Sequence, residues 1–507
     1  MTILPNTPVL VGSAQLTNRR DSDIALTERD EPVELMAKVL DLAAQDCGSK
    51  NAGRKLLEQA SLLCTIQSLA WQYINPAQLV AQKLSIEPKA LSTTTTGGNS
   101  PQMVASYAAR AIQDGRLDIV LVTGADCVYT RRAARKDPTH PALPWTVQPE
   151  DTPIPLTLGT NKDPTTTAES EVGLDRPAKV FPLFENAIRH ANGWTLDEHR
   201  KKIGQLWSSL SKIAENNPHA WQQQAKTAEE IYQVDETNRM VCFPYTKLLN
   251  ANMQVDQGAA FIMCSYEAAQ RVGIDSDSLV FPVSGADADD HWFMSHRWDL
   301  HSSPAIKIAG ESALEMADKS IDDIEFVDLY SCFPSAVQIA ANALRLPTND
   351  PSRPLSITGG LTFAGGPGNN YVSHSISAMH KLLRGQSHKW GIITGLGWYV
   401  TKHSLGVWSS DPPQNGFQYA NPQEDVNKLP QRPPTSTEHH DITVETYTVW
   451  HNRDGSPELG IASYLNGDGG RGWAKIHDQD TLIEIENNEG CGRRAELNDT
   501  YSIVLVD

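Results

Sequence analysis

The sequence predicts an α/β body followed by a small all-β domain, and three observations lead there. Apolar runs closed by glycine, at residues 7–16 and 119–126, read as strands covered on both faces. They alternate with stretches whose apolar residues recur at helical spacing, as in residues 32–48, which is the pattern of layered α/β folds. After about residue 440, short alternating or apolar runs separated by turn residues take over, as in a barrel or sandwich.

Taken in order, residues 7–16 form the first expected strand. Residues 32–48 form a helix with proline near its start and glycine just past its end. Residues 61–69 read as a strand, 74–84 as a helix opening at Asn75-Pro76, and 119–126 as a buried strand. From about Pro138 the chain turns irregular and rich in Pro, Thr, Asp and Glu, and two helical stretches follow, 181–194 and 197–218. Residues 247–273 return to helix and strand. The second half begins near Asp275: strand and loop over 278–290, helix over 303–320, strand–turn–helix over 324–346, and a strand over 390–400. Residues 411–440, rich in Pro, Asn and Gln, read as a linker. Segments 442–451, 458–466, 472–477, 481–487 and 501–507 are all expected as strands. The expected division is 1–273, including a helical excursion at about 130–245, then 274–410, 411–440 and 441–507.

The 507 residues carry 43 basic and 61 acidic side chains, a net charge of −18. That balance argues against nucleic acid or an anionic membrane as partner, and leaves room for an anionic small molecule in a local basic pocket. Seven scattered cysteines without a CxxC pair point to neither a disulfide framework nor a metal site, and fit a reducing cytoplasm. No signal peptide and no membrane-spanning run is expected. Dinucleotide-binding GxGxxG, phosphate-loop, HExxH and GxSxG patterns are not found in the contexts they require.

Four segments stand out in order: TTGGNSP at 95–101, VDLYSCFPSA at 327–336, GGLTFAGGPGNNYVSHSI at 359–376, and GIITGLGWYVTKHSLGVW at 391–408, with DQGAAFIM at 256–263 between the first two. Together they resemble the four catalytic loops of thiolases, particularly the sterol carrier protein type, over roughly residues 7–406. The linker and tail resemble the additional C-terminal domain of the thiolase-like protein type 1 group. The resemblance implies a five-layered α/β/α/β/α body with a helical loop domain and a small barrel-like β domain.

It also locates the site. Counted back from Gly115, the nucleophilic cysteine of a thiolase falls at Gly98, which has no nucleophile. Gly97, Gly98 and Asn99 are left to present backbone N–H groups to a ligand, and Asn99 or Ser100 to cap the helix. Tyr330 stands where the second loop has histidine, and Cys332 is kept. Both are candidate proton carriers at a substrate α-carbon, set against a packed aromatic and a small buried hydrophobe. Gly365, Gly366 and Pro367 align with the Gly-His-Pro loop, so the base histidine falls at Gly366. Asn369, Asn370, Tyr371 and His374 follow as a candidate replacement site, with His374 equally able to brace the next helix. Gly395-Leu396-Gly397 lies where a Cys-x-Gly motif would be, with Tyr399, Lys402 and His403 as polar neighbours.

The implied ligand is coenzyme A or an acyl-CoA, bound as substrate rather than as a permanent cofactor. Arg189, His190, Lys201 and Lys202 are candidates to hold it, against a solvated helix face. Trp207 and Trp221 read as core or as adenine-stacking groups. The implied protein is acetyl-CoA acetyltransferase-like, in lipid metabolism, performing non-thiolytic carbon–carbon chemistry. Two other readings stand beside it: a non-catalytic acyl-CoA-binding or scaffold protein, and a residual acyltransferase with Cys332 as nucleophile. Relatives dimerise through the nucleophile-bearing half, and the β tail could replace that contact with a heteromeric one or prevent it.

Overall fold

The computed structural model describes residues 3–433, 435, 441–498 and 502–506. In the first half these elements matter: β1 (Pro8–Thr17), α1 (Pro32–Gln45), β2 (Leu62–Ile66), β3 (Leu91–Thr94), α2 (Ser100–Gln113), β4 (Ile119–Cys127), β5 (Leu156–Leu158), α3 (Pro177–Ala191), α4 (Leu196–Asn216) and β6 (Asp256–Ser265). The strands form one sheet in the order β1-β6-β4-β2-β3-β5. The second half adds β7 (Phe281–Asp289), α5 (Pro304–Met316), β8 (Phe326–Asp328), α6 (Pro334–Ala343), α7 (Tyr371–Leu383), β9 (Trp390–Gly397), β10 (Lys402–Ser409) and β11 (Gln418–Ala420). Its sheet runs β8-β9-β10-β7-β11.

The layering follows from which faces are apolar. β4 and β6 are buried at every residue, so both of their faces must be covered. α1 packs on the outer face of the first sheet, and α5 on that of the second. α2 and α7 lie between the sheets and touch both. The result is the five-layered α/β/α/β/α body expected from the sequence.

The excursion after β5 carries α3 and α4. A buried carboxylate fastens it to the body. Glu185 on α3 meets His199 Nε2 at 2.6 Å, and it accepts from Tyr245 Oη at 2.5 Å and from Gln338 Nε2 at 2.6 Å. Tyr245 Oη in turn accepts from Ser335 N–H at the start of α6, at 3.2 Å. Every group in this chain is satisfied by another, which is the condition for keeping a charge inside.

Part of the stretch expected as a linker is ordered against the body. β11 pairs parallel to β7, with Gln418 opposite Ser284, and Gln423 Nε2 donates to the Asp289 carbonyl at 2.9 Å. The remainder of that stretch, residues 434 and 436–440, lies outside the described residues. The tail forms β12 (Ile442–His451), β13 (Pro457–Leu465), β14 (Arg471–Ile476), β15 (Arg494–Leu497) and β16 (Ile503–Leu505), antiparallel in the order β14-β13-β12-β15-β16. One expected strand is a helix instead. Residues Gln479–Asn487 are helical because the Asp478 side chain accepts from Thr481 N–H, and Leu482 and Ile485, three apart, share the buried face.

The tail is held to the body by Arg471, whose side chain is fully buried. It meets Glu445 Oε1 at 2.6 Å and donates to the carbonyls of Met294 and Arg297. Removing it takes from Glu445 its buried cationic partner and from the Arg297 carbonyl its side-chain donor. Arg471→Ala is therefore expected to cost about 3 kcal/mol, read as a lower melting temperature and as earlier proteolytic release of the tail.

Candidate functional site

The site is built by the two central helices. α2 and α7 are buried side by side between the sheets, and the loops that open them meet. The Asn369 side chain joins them: its Oδ1 accepts from Gly97 N–H at 2.9 Å and its Nδ2 donates to the Gln67 carbonyl at 2.8 Å. Asn370 Nδ2 donates to the Gly124 carbonyl at 2.6 Å. Both amides, expected to face a ligand, tie the loop before α7 to the first half of the body through these bonds, while Asn370 Oδ1 is buried without a hydrogen-bond partner. Gly365 has a φ of 113°, and a Cβ there would lie 2.1 Å from Gln257 Oε1, so the turn demands glycine. At Gly366 a Cβ would meet nothing nearer than 3.4 Å, so that position has room for a side chain.

Gly98 is different. A Cβ built on it would lie 2.2 Å from Tyr330 Oη and 2.5 Å from Tyr330 Cζ. The phenol of Tyr330 occupies the space that a side chain at position 98 needs. Tyr330 is held there from both ends: its N–H donates to Thr394 Oγ1 at 2.9 Å, and its ring stands edge-on to Tyr371 with centroids 5.5 Å apart. The sequence pairs Gly98 with Tyr330 by family position. The volume exchange between them becomes visible only in the structure.

Asn99 sits at the helix boundary, and its side chain makes no cap bond to α2. Its Nδ2 turns to Ser404 Oγ on β10, at 3.2 Å, while the Ser100 hydroxyl donates back to the Thr95 carbonyl. The expected side-chain cap is thus absent, because the backbone at Asn99 is already helical and points the amide across to the second sheet.

The ionisable candidates are all buried. Burial pushes the Cys332 thiol and the Tyr330 phenol well above their usual values. Cys332 lies just before α6, next to Phe333, which stacks on Phe181 of the excursion at 4.5 Å. Tyr371 Oη meets Thr358 Oγ1 at 2.5 Å, and burial with the nearby Asp328 carboxylate raises its phenol. His374, in the first turn of α7, meets Gln15 Oε1 through Nδ1 at 3.0 Å, and burial lowers it to about 3. Its ring borders a cavity of about 10 Å³ shared with Tyr371, Gly365 and Gln257, far too small for an acyl group. Tyr330 has Tyr371 against its ring and Cys332 close by. His374 lines the same small cavity as Tyr371, with Nδ1 held by Gln15 on β1 and Nε2 buried without a hydrogen-bond partner.

Of the cationic candidates, Lys202 lines a cleft of about 680 Å³ between α4 and residues 347–355, together with Lys212 and Trp194. Lys202 Nζ lies 4.8 Å from the Trp194 ring centroid. Arg189 is committed to Glu489 of the tail. Lys201 pairs on the surface with Asp197, and His190 is exposed beside Glu489. Trp207 is core, donating to Thr362 Oγ1, and Trp221 packs on Tyr129. Among the described residues, no helix is long and apolar enough to cross a membrane.

Residues 422–500 match the family model of the thiolase-like protein type 1 additional C-terminal domain. A monomeric SCP2-thiolase-like protein type 1 from Mycobacterium smegmatis is similar over 100% of both chains, at 27% identity and a TM-score of 0.83. The Ltp2-ChsH2(DUF35) aldolase covers 81% of this chain and 99% of its own, at 17% identity and a TM-score of 0.56. The Acat5 thiolase from Ascaris suum in complex with coenzyme A covers 80% and 99%, at 14% identity and 0.54. No curated protein sequence matches the chain. The body therefore has the thiolase fold, and residues 422–500 are similar to the type 1 additional domain.

Two outcomes follow. Gly98→Ala should cost about 1–3 kcal/mol by overpacking, and a Tyr330→Ala background should return part of that cost, as a double-mutant cycle of unfolding free energies would register. His374 stays neutral in the folded chain and binds a proton near pH 6.5 once unfolded, so its contribution to stability is lost as pH falls from 6.5 toward 3. In a His374→Gln chain the fall between pH 6.5 and 4 should be shallower by up to about 1.4 kcal/mol per pH unit, measured by denaturant melts across that range.

Proposed function

We propose that this chain binds coenzyme A or a CoA thioester through its thiolase body and does not form an acyl-enzyme. The observation that carries this reading is the Tyr330 phenol standing where a side chain at Gly98 would be. An acyl-enzyme needs a nucleophile there, a base to deprotonate it and room for the acyl group. Position 98 offers no nucleophile and position 366 no imidazole. The remaining thiol, Cys332, is held protonated by burial, which removes the thiolate an attack would require.

Support for the CoA ligand comes from the fold, shared with a thiolase crystallised with coenzyme A, and from the cleft beside α4. Its two ammonium groups, on Lys202 and Lys212, suit phosphates, and the Trp194 ring offers a face to a purine. Its volume of about 680 Å³ falls in the range of small-molecule sites. Carbon–carbon chemistry without a covalent intermediate, the reading that the aldolase neighbour favours, needs a group able to take a proton near neutral pH. Tyr330, Tyr371 and Cys332 are all shifted away from that role.

Calorimetric titration with coenzyme A, acetyl-CoA and a 3-oxoacyl-CoA tests the reading. Micromolar binding, about −8 kcal/mol, is expected, weakened at least tenfold in Lys202→Ala/Lys212→Ala. Thiolysis of the 3-oxoacyl-CoA should be undetectable. Absence of binding up to millimolar concentration, or an acyl adduct on Cys332 in peptide mass mapping, would overturn it.

A further inference from the structure

A second polar crevice opens on the other side of the loop that holds Gly97 and Gly98. It has a volume of about 170 Å³ and is lined by Lys402 of β10, Asp287 and Asp289 of β7, Thr95 and Asn99 before α2, and Tyr419 of β11. The cleft beside α4 shares none of these residues, although Lys402 lies in the fourth of the family-like loops and Thr95 and Asn99 in the first.

Lys402 is its central feature. The side chain is 4% exposed, and Nζ donates to two main-chain carbonyls, Thr96 at 2.5 Å and Thr160 at 3.4 Å, rather than to a carboxylate. Burial lowers the amine to about 8, with Asp289 opposing. A neutral amine has two N–H bonds, which those two carbonyls use. Its lone pair is left uncommitted. Space beside it is kept by glycine: a Cβ on Gly97 would lie 2.8 Å from Lys402 Nζ and 2.5 Å from Asn99 Oδ1.

The wall of the crevice has unused hydrogen-bonding atoms. Thr95 Oγ1 and Asn99 Oδ1 belong to side chains more than nine-tenths buried, and they have no partner, nor has Asp287 Oδ1. Such atoms are costly unless something arrives to meet them. Asp287 accepts from Tyr419 Oη at 2.8 Å through its other oxygen. Burial raises the carboxyls of both Asp287 and Asp289, so each can hold a proton more readily than a surface acid. His403, next in the chain, is engaged with Asp290 at 3.2 Å.

We propose that Lys402 is an imine-forming amine and that this crevice takes a small hydroxylated aldehyde or ketone. The lone pair of Nζ attacks the carbonyl carbon, and the π electrons move to the carbonyl oxygen, which is protonated by the Asp289 carboxyl. The resulting carboxylate takes a proton from nitrogen. Asp289, protonated again by that transfer, gives its proton to the hydroxyl, water leaves as the nitrogen lone pair forms C=N, and the iminium returns its N–H proton to the Asp289 carboxylate. The sum is amine plus carbonyl to imine plus water, with no change of oxidation state. Hydroxyl groups of the compound donate to Asn99 Oδ1 and Thr95 Oγ1, the atoms that lack partners.

Incubation of the full chain with dihydroxyacetone or glycolaldehyde and sodium cyanoborohydride, followed by peptide mass mapping, tests this. The expected result is one reduced adduct per chain, on Lys402, absent in Lys402→Arg and slowed at least tenfold in Asp289→Asn. Its rate should rise as pH increases through about 8. Asp289, opposite Lys402 across the β7–β10 ladder, is the charged group acting on the amine; His403, Asp290 and Lys162 act in turn on Asp289, and Asp287 and His403 line the same crevice. Adducts spread over exposed lysines with Lys402 unmodified, or modification of Lys402 only in denaturant, would overturn the proposal. Neither outcome depends on CoA binding, so the two readings fail separately.

Discussion

Two helices buried side by side between two sheets leave the loops at their N-terminal ends one place to go: toward each other. Everything at the centre of this protein depends on that constraint. α2 and α7 cannot shift without opening both sheets, so the Gly97–Asn369 hydrogen bond joins segments more than 270 residues apart at a fixed spacing. A group placed on either loop is therefore positioned by the whole core. That is the arrangement a catalytic constellation needs, and it persists here with other side chains in the decisive places.

Those side chains are exchanged in volume as well as in chemistry. At Gly98 an aromatic ring from the opposite loop fills the space a side chain would need, and its edge rests on a second phenol at Tyr371. Close-packed interiors leave no hole the size of a side chain unfilled without cost. The close fit of Tyr330 against Gly98 keeps the core dense. The amides that follow Gly366, which have the right composition for a ligand site, serve the fold instead by satisfying backbone groups of the first sheet.

Much of the body was legible in the sequence because its signals are strong. Continuous apolar runs closed by glycine gave β1 and β4, and proline–glycine punctuation gave α1. The loops could be placed by their order along the chain. The tail was less legible: residues 481–487 alternate in a way that suits a strand, but the Asp478 cap and the three-residue spacing of Leu482 and Ile485 make a helix. Side-chain roles were the least legible. Whether Asn369 faces a ligand or a backbone N–H, and whether Lys402 is a solvated surface group or a buried amine, depends on contacts between residues hundreds of positions apart. No local pattern records those contacts. The partnerless oxygen atoms at Thr95 and Asn99 belong to the same class of fact.

The rim of the first sheet closes with β5, three residues long, paired to β3 through Ser92, Thr93 and Thr94. Leu156 on it is more than half exposed. A sheet grows across chain boundaries by copying hydrogen bonds onto an open edge, and a longer edge is a better template. Here the template is brief, and beyond Leu158 the backbone bends away at a glycine of positive φ, Gly159. The excursion that follows the core thus begins with a segment that ends the sheet. Any neighbour that settles against this rim has to be recognised through side chains, because the backbone offers almost nothing to extend.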